Sequence, residues 1–289
     1  MKAETSQIFA PRFGHDLNDA KRVVILSDIQ IPFQDQPVLE LVYRFIDLWQ
    51  PDTLIINGDL VDFYSLSQFD KDPLKVDRVV EEVTGVANFF ERTKIVQNRI
   101  WLGGNHEDRW RKTLWKMQQF GPGAKAVLQA LVNAAEATED ADAAFRFIFS
   151  TKKMDVTYWP YGHYMILAHN NLVVTHGFRL SQHSAYSAKM HIERLGRSVI
   201  VGHTHRQGVY RNSNLRGTHG AWENGCLCRL DPDYVQFPNW QQGFSIVTIE
   251  QEQFYVEQVP ILPGPSIKYS DWETIRAAGI DQENQTVQT

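Results

Sequence analysis

Three short apolar runs constrain this chain more than any other feature. Val23-Val24-Ile25-Leu26, Leu54-Ile55-Ile56 and Ile100-Trp101-Leu102 have the length and composition of buried strands. Each stops abruptly at polar residues: Asp28 and Gln30 after the first, Asp59 and Asp62 after the second, Asn105 and His106 after the third. Helical patterns separate them. Val38, Leu41, Val42, Phe45, Leu48 and Trp49 recur at helical spacing, and Pro37 suits a first helical turn. Val79, Val80, Val83, Val86, Phe89 and Phe90 form a second such face. Strand and helix therefore alternate three times, and every strand ends in a polar loop. That predicts an α/β layered fold with ligands at the carboxyl ends of the strands.

The rest of the chain has a different texture. Residues 109–150 read as mostly helical, with Gly121-Pro122-Gly123 as a breaker and "AKAVLQALVNAAEA" rich in helix formers. Beyond residue 153, short apolar runs between turns predict strands, with one helix around 181–196. The expected organisation is an N-terminal extension at 1–20, a domain at 21–265 with a helical insertion at 109–150, and a polar tail at 266–289. A chain of 289 residues can bury a sizeable core. Its net charge of −5 argues against a broad electrostatic grip on nucleic acid, though not against a local basic groove. No run approaches the roughly 18 apolar residues that span a bilayer. The first twenty residues lack the apolar core of a secretory signal, so the expectation is a cytoplasmic protein with no membrane partner. Cys226 and Cys228 read as small, half-buried residues on one strand face in a reducing compartment. A disulfide between them is geometrically awkward, and two thiols alone make no structural zinc site.

Three more polar residues follow strand-like runs: His176, then His203 and His205. A single strand-end Asp is usually a cap or turn residue, and His-Thr-His alone arises by chance. Five such clusters in one chain are hard to obtain from structural needs. Two divalent ions about 3.5–4 Å apart need a shared anionic ligand. Imidazoles and amide oxygens complete such shells.

The segments "SDIQ", "NGDLVD", "GGNHED", "THG" and "VGHTH" resemble, in order, the five motifs of the calcineurin-like metallophosphoesterase superfamily. Those read D-x-H, G-D-x-x-D, G-N-H-[ED], a His before Gly, and G-H-x-H. The resemblance runs from Asp28 to His205. It implies a four-layer α/β/β/α sandwich with two packed mixed sheets and the site at one end. It implies two divalent metal ions, the first held by Asp28, Gln30, Asp59 and His205. The second would be held by Asp59, Asn105, His176 and His203, with Asp59 bridging. His106 would face the substrate as general acid or transition-state stabiliser, oriented by Asp62. The activity implied is hydrolysis of phosphoric esters by in-line attack of a metal-bridging hydroxide.

Gln30 departs from the pattern, which usually has histidine there. A neutral amide oxygen is a harder and weaker ligand than imidazole. It would lean the first site toward Mn2+ or Mg2+, with Fe2+, Ni2+ and Zn2+ as further options. The alternative is that Gln30 does not ligate. Arg109 could clamp a substrate phosphate or pair with a nearby carboxylate on its helix. Arg206, beside His205, could contact substrate, as could Arg179 and His183. His163, His169, His191 and His219 fit no motif and read as surface or satisfied core histidines. "WRKTLWKMQQF" interleaves bases with aromatics, which suits helix packing better than stacking on nucleic acid. Protein Ser/Thr phosphatases of the superfamily carry an Arg where Phe63 stands. The overall texture resembles small bacterial and bacteriophage phosphoesterases. The expected substrate is therefore a phosphodiester, in a nucleotide or DNA. A phosphomonoesterase or protein phosphatase, and a non-catalytic scaffold of the same fold, are the alternatives.

Overall fold

Alternation along the first strands decides the layering. In β2 (Arg22–Leu26), β3 (Thr53–Asn57) and β4 (Asn98–Leu102), successive side chains point to opposite faces. Val24, Leu26, Leu54, Ile56 and Trp101 join one apolar cluster, and Val23, Ile25, Ile55, Ile100 and Leu102 join another. A strand apolar on both faces must be covered on both. The computed structural model describes residues 13–67, 79–117, 141–215, 217–232, 237–262, 264, 266–269 and 273–276.

The first cluster lies under helices. α1 (Gln36–Trp49) starts at Asp35, whose side chain accepts the Val38 N–H at 3.2 Å, and Pro37 occupies its first turn. It ends at Gln50 in a left-handed conformation. α2 (Val79–Arg92) buries Val86, Phe89 and Phe90 on the same side. The expected faces hold with two exceptions: Leu48 is 68% exposed and Val80 is 78% exposed. Nine residues separate Val80 from Phe89, about half a turn around the axis, so Val80 cannot share its stripe. Within 109–150, α3 (Glu107–Met117) and α4 (Ala141–Ile148) are helical as expected. The Ala-rich run at 124–137 lies outside the described residues.

The second cluster lies between two sheets. One has eight strands in the order β14-β13-β12-β11-β2-β3-β4-β5, the other six in the order β1-β6-β7-β8-β10-β9. Their remaining members are β1 (Gly14–Asp16), β5 (Thr157–Trp159), β6 (Tyr164–Leu167), β7 (Leu172–Thr175), β8 (Ser198–Val201), β9 (Gln207–Asn214) and β10 (Gly217–Asn224). β11 (Gly243–Glu250), β12 (Gln253–Leu262), β13 (Ser266–Tyr269) and β14 (Glu273–Arg276) complete the larger sheet. Both sheets are mixed: β2, β3, β4 and β5 run parallel and β11 antiparallel to β2, while β7, β8 and β10 run parallel and β9 antiparallel. Leu172, Val174 and Ile200 face the larger sheet, whereas Val173, Val199 and Val201 face α5 (Tyr186–Leu195). The result is the expected α/β/β/α sandwich. The sheets begin before residue 21, at β1, and continue past residue 265, through β13 and β14. Among the described residues no helix is long and apolar enough to cross a membrane.

Phe244 is fully buried on the helix side, its ring 5.0 Å edge-on from Phe45. Phe244→Ala should cost about 3–5 kcal/mol. Leu48→Ala, on the outer face of α1, should stay within about 0.5 kcal/mol. Urea unfolding measures both, and similar losses would contradict this layering.

Candidate metal centre

The carboxyl ends of β2, β3, β4, β7 and β8 meet at one end of the sandwich. The expected site residues all lie just beyond them. Strand alternation does not aim them, because β2 stops at Leu26. Asp28, Gln30, Asp59, His203 and His205 instead adopt positive φ, at 55°, 54°, 53°, 69° and 56°. Such conformations cost non-glycine residues about 1–3 kcal/mol each and persist only where the surroundings enforce them. Backbone bonds supply that enforcement. The Asp28 N–H donates to Gly58 O at 3.1 Å and the Gln30 N–H to Asp59 O at 2.9 Å.

The motif glycines have a steric reason. A Cβ on Gly58 would lie 2.1 Å from His176 Nδ1, and one on Gly104 would lie 2.1 Å from Asp59 Oδ1. Gly58 also takes φ +86°. Both positions exclude a side chain so that a site residue can approach the backbone.

Asp59 sits at the centre and is buried. Its Oδ1 accepts the His106 N–H at 2.9 Å, and its Oδ2 is 3.3 Å from His176 Nε2. Burial pushes this carboxyl up, but His106 and His176 outweigh it and hold it well below the usual range. Around it lie two sets of donor atoms. On one side, His176 Nε2 is 3.0 Å from Asn105 Oδ1, and the rings of His176 and His203 are 5.2 Å apart. Asp59, His176 and His203 offer ligand atoms within 4.8 Å of one another. On the other side, His205 Nε2 is 3.1 Å from Asp28 Oδ1 and 3.3 Å from Gln30 Nε2. Asp28 Oδ2 accepts the His203 N–H at 3.0 Å, joining the two sets.

The imidazoles are oriented to suit an ion. A carbonyl oxygen can only accept, so His176 Nδ1 donates to Asn57 O at 2.8 Å and Nε2, the nitrogen left for an ion, faces Asp59. His205 Nδ1 lies 3.7 Å from Cys228 Sγ, which leaves Nε2 toward Asp28. Burial lowers His176, yet Asp59 and its hydrogen bonds raise it to about 9. Burial and the neighbouring His176 lower His203 to about 4.

His106 stands apart from these donors. Its Nδ1 is 3.3 Å from Asp62 Oδ2, and its Nε2 is 3.0 Å from Arg109 Nη2. Arg109 also donates to the Asp62 carbonyl oxygen at 2.7 Å. The carboxylate it pairs with, Asp62 Oδ1 at 3.5 Å, lies on another element and not on its own helix. Arg206 is spoken for as well. It donates to Gln182 O at 2.9 Å and Ser181 O at 2.7 Å, with Nε 3.5 Å from Glu223. His191 is a satisfied core histidine: Nδ1 donates to Ser187 O at 2.7 Å and Nε2 accepts the Phe178 N–H at 2.9 Å.

Sequence reasoning missed several residues. Glu107 accepts five hydrogen bonds, from the N–H groups of Asp59, Leu60, Val61 and Gly104 and from Trp101 Nε1, at 2.6–3.3 Å. Its only signal was its place inside a metal motif. Glu82, hidden in the apolar pattern of α2, is buried behind Asp62, and burial and Asp62 push it up to about 8. Trp240 lies 4.2 Å from the His205 ring. Cys226 and Cys228 are fully buried, not half-buried, and lie past the end of β10. Cys226's hydrogen bond and the nearby His205 lower the Cys228 thiol despite its burial.

The sequence model of the calcineurin-like phosphoesterase family matches residues 21–207. The chain belongs to that family. The "Gene 54 protein" of Mycobacterium phage D29 is 30% identical over 272 residues, covering 88% of this chain and 99% of that protein. The protein of the same name from Mycobacterium phage L5 matches to the same extent. Zinc-complexed Vps29 of Entamoeba histolytica is 10% identical with a TM-score of 0.45, covering 88% of this chain and 98% of that one. The phosphoesterase YfcE of E. coli is 14% identical with a TM-score of 0.35, covering 83% of this chain and 100% of that one. Likenesses this distant add nothing to the family assignment.

The histidine environments set a pH signature for the family member stripped of metal. The unfolded chain loses its histidine protons near 6.5, while folded His176 keeps its proton to about 9. Its contribution is therefore full below 6.5 and disappears as pH rises through about 9. His203 works oppositely: unfolded it takes a proton near 6.5, folded only near 4, so stability falls as pH drops through that window. In chelator-treated protein, Tm should decline on both sides of pH 6.5, and His176→Asn should make the alkaline decline shallower, with the raised His106 and His205 supplying the rest. A flat alkaline limb in the wild type would contradict these environments.

Proposed function

We propose that this family member is a binuclear metal-dependent phosphoesterase acting on a phosphodiester, in a nucleotide or DNA. The observation that carries the reading is Asp59, a buried carboxylate with an Asp28–Gln30–His205 set on one side and an Asn105–His176–His203 set on the other. The donor chemistry fits two divalent ions. Both sets present imidazole and amide donors around shared anionic oxygen, and His176 has its second nitrogen occupied by a carbonyl. Asp28, Gln30, Asp59 and His205 would hold one ion, and Asp59, Asn105, His176 and His203 the other. Two such ions supply a hydroxide nucleophile at neutral pH and neutralise charge on the phosphoryl oxygens.

The chain's own residues do the rest. The Asp62 carboxylate faces His106 Nδ1 at 3.3 Å, favours the proton there and fixes the ring, leaving Nε2 toward the reacting centre. Arg109 contacts both His106 and Asp62, so it can move onto a phosphoryl oxygen without leaving the site. Against the effect of burial, the Asp59 and Asp62 carboxylates hold His106 above its usual value. It would enter as the imidazolium, give its Nε2 proton to the leaving oxygen and end as the neutral ring. Glu82, largely protonated at neutral pH, adds no second full charge behind Asp62. Arg206 acts through the 181–182 loop that it pins. A cavity of about 280 Å³ beside His205, lined by Leu180, Gln182, Asn239 and Trp240 among others, leaves room for a second ester substituent. Phe63, which stands where a protein phosphatase carries an Arg, is buried against Phe145 and Phe149.

Bis-p-nitrophenyl phosphate should be hydrolysed faster than p-nitrophenyl phosphate with Mn2+. His106→Ala should lower kcat by about 10²–10⁴-fold with both ions still bound. No turnover of either ester in any metal would instead indicate a scaffold. A Gln30→His variant should shift metal preference toward Zn2+. Unchanged affinity and unchanged preference would remove Gln30 from the ligand set.

A further inference from the structure

Cys226 and Cys228 have no part in the proposed hydrolysis, yet they are buried against it. Strand register does not hold them. β10 ends at Asn224, and the two residues form isolated bridges, Cys226 to Gln242 and Cys228 to Gln34. The segment turns back because the Leu227 and Cys228 N–H groups both donate to the Asp28 carbonyl oxygen, each at 3.1 Å. That turn brings both sulfurs to His205. Cys228 Sγ is 3.7 Å from Nδ1, and the imidazole and the two thiols offer ligand atoms all within 4.8 Å of one another.

These distances have a chemical meaning. A tetrahedral ion with nitrogen at about 2.0 Å and sulfur at about 2.3 Å holds the two atoms roughly 3.6 Å apart. The Nδ1–Sγ pair already spans one such edge. We infer that His205 Nδ1, Cys226 Sγ and Cys228 Sγ form a site for a thiophilic divalent ion, Zn2+ or Cd2+, distinct from the two hydrolytic positions. The Gln241 carbonyl oxygen, 3.6 Å from Cys226 Sγ, is available as a further donor. Thiolate ligands select such ions over Mn2+ and Mg2+, which prefer oxygen.

The new site and the first hydrolytic position use opposite nitrogens of one ring. Loading the thiolate site releases the two thiol protons and takes the Nδ1 lone pair. The ring proton then resides on Nε2, where Asp28 Oδ1 accepts it at 3.1 Å. His205 is thereby withdrawn from the first hydrolytic ion. A thiophilic ion would switch the centre off while Mn2+ leaves it on. This exclusivity rests on the reading of His205 as a ligand of that ion; the thiolate site itself does not.

The test is a Cd2+ titration of the full, reduced, chelator-stripped chain, followed by near-ultraviolet absorption. The wild type should develop a sulfur-to-cadmium charge-transfer band saturating at one equivalent. Cys226→Ser/Cys228→Ser should lose the band while retaining the wild-type circular dichroism. With Mn2+ present, inhibition by Cd2+ should weaken by about 10–100-fold in that variant. A folded wild type without a thiolate band, or a band that persists in the double variant, overturns the site. A band without any difference in inhibition overturns the exclusivity. If no form hydrolyses ester, the band still decides the site, so failure of the phosphoesterase reading is separable from failure of this one.

Discussion

One buried carboxylate joins the ends of two strands. Glu107 collects N–H groups from the loop after β3 and from the turn after β4, and it reaches the Trp101 indole as well. Burial and the nearby Asp59 push this carboxyl up, while the N–H donors favour its charged form, and those donors left unpaired in a site this dry would each be costly. It fixes the backbone of Asp59 and Gly104 together. Asp59 in turn accepts the His106 N–H, so the carboxylate at the centre and the ring beside it share one rigid support.

That support explains how so much unfavourable geometry persists. Five expected site residues have positive φ without being glycine, and the two motif glycines lie where any side chain would strike His176 or Asp59. The parallel strands β2, β3 and β4 are apolar on both faces and supply a stiff base on which the loops can be strained. Core stability, in this view, is spent at the strand ends. The charges there hold each other in place: Asp59 stays ionised because His106 and His176 face it, and His176 is raised for the same reason.

Much of this was legible in the sequence. Apolar runs closed by Asp, Asn and His are a local signal, and the two-residue alternation of Val23 to Leu26 specified two covered faces, hence the layers. What was not legible depends on tertiary folding. The convergence of Asp28 and Gln30 comes from left-handed backbone beyond β2, not from strand alternation. Cys226 and Cys228 became neighbours of His205 only because their segment folds back onto the Asp28 carbonyl. Arg206 looked available beside His205, but its guanidinium reaches the 181–182 loop and Glu223. Val80 matched an apolar spacing and still faces outward, since a helix covers a sheet with only one stripe.

In the proposed centre Asp59 lies between two ions. Anomalous diffraction from Mn2+-soaked crystals tests it directly. The account predicts two peaks about 3.5–4 Å apart with the Asp59 carboxylate between them, one bordered by Asp28, Gln30 and His205 and the other by Asn105, His176 and His203. A single peak, or two peaks that Asp59 does not bridge, would contradict it.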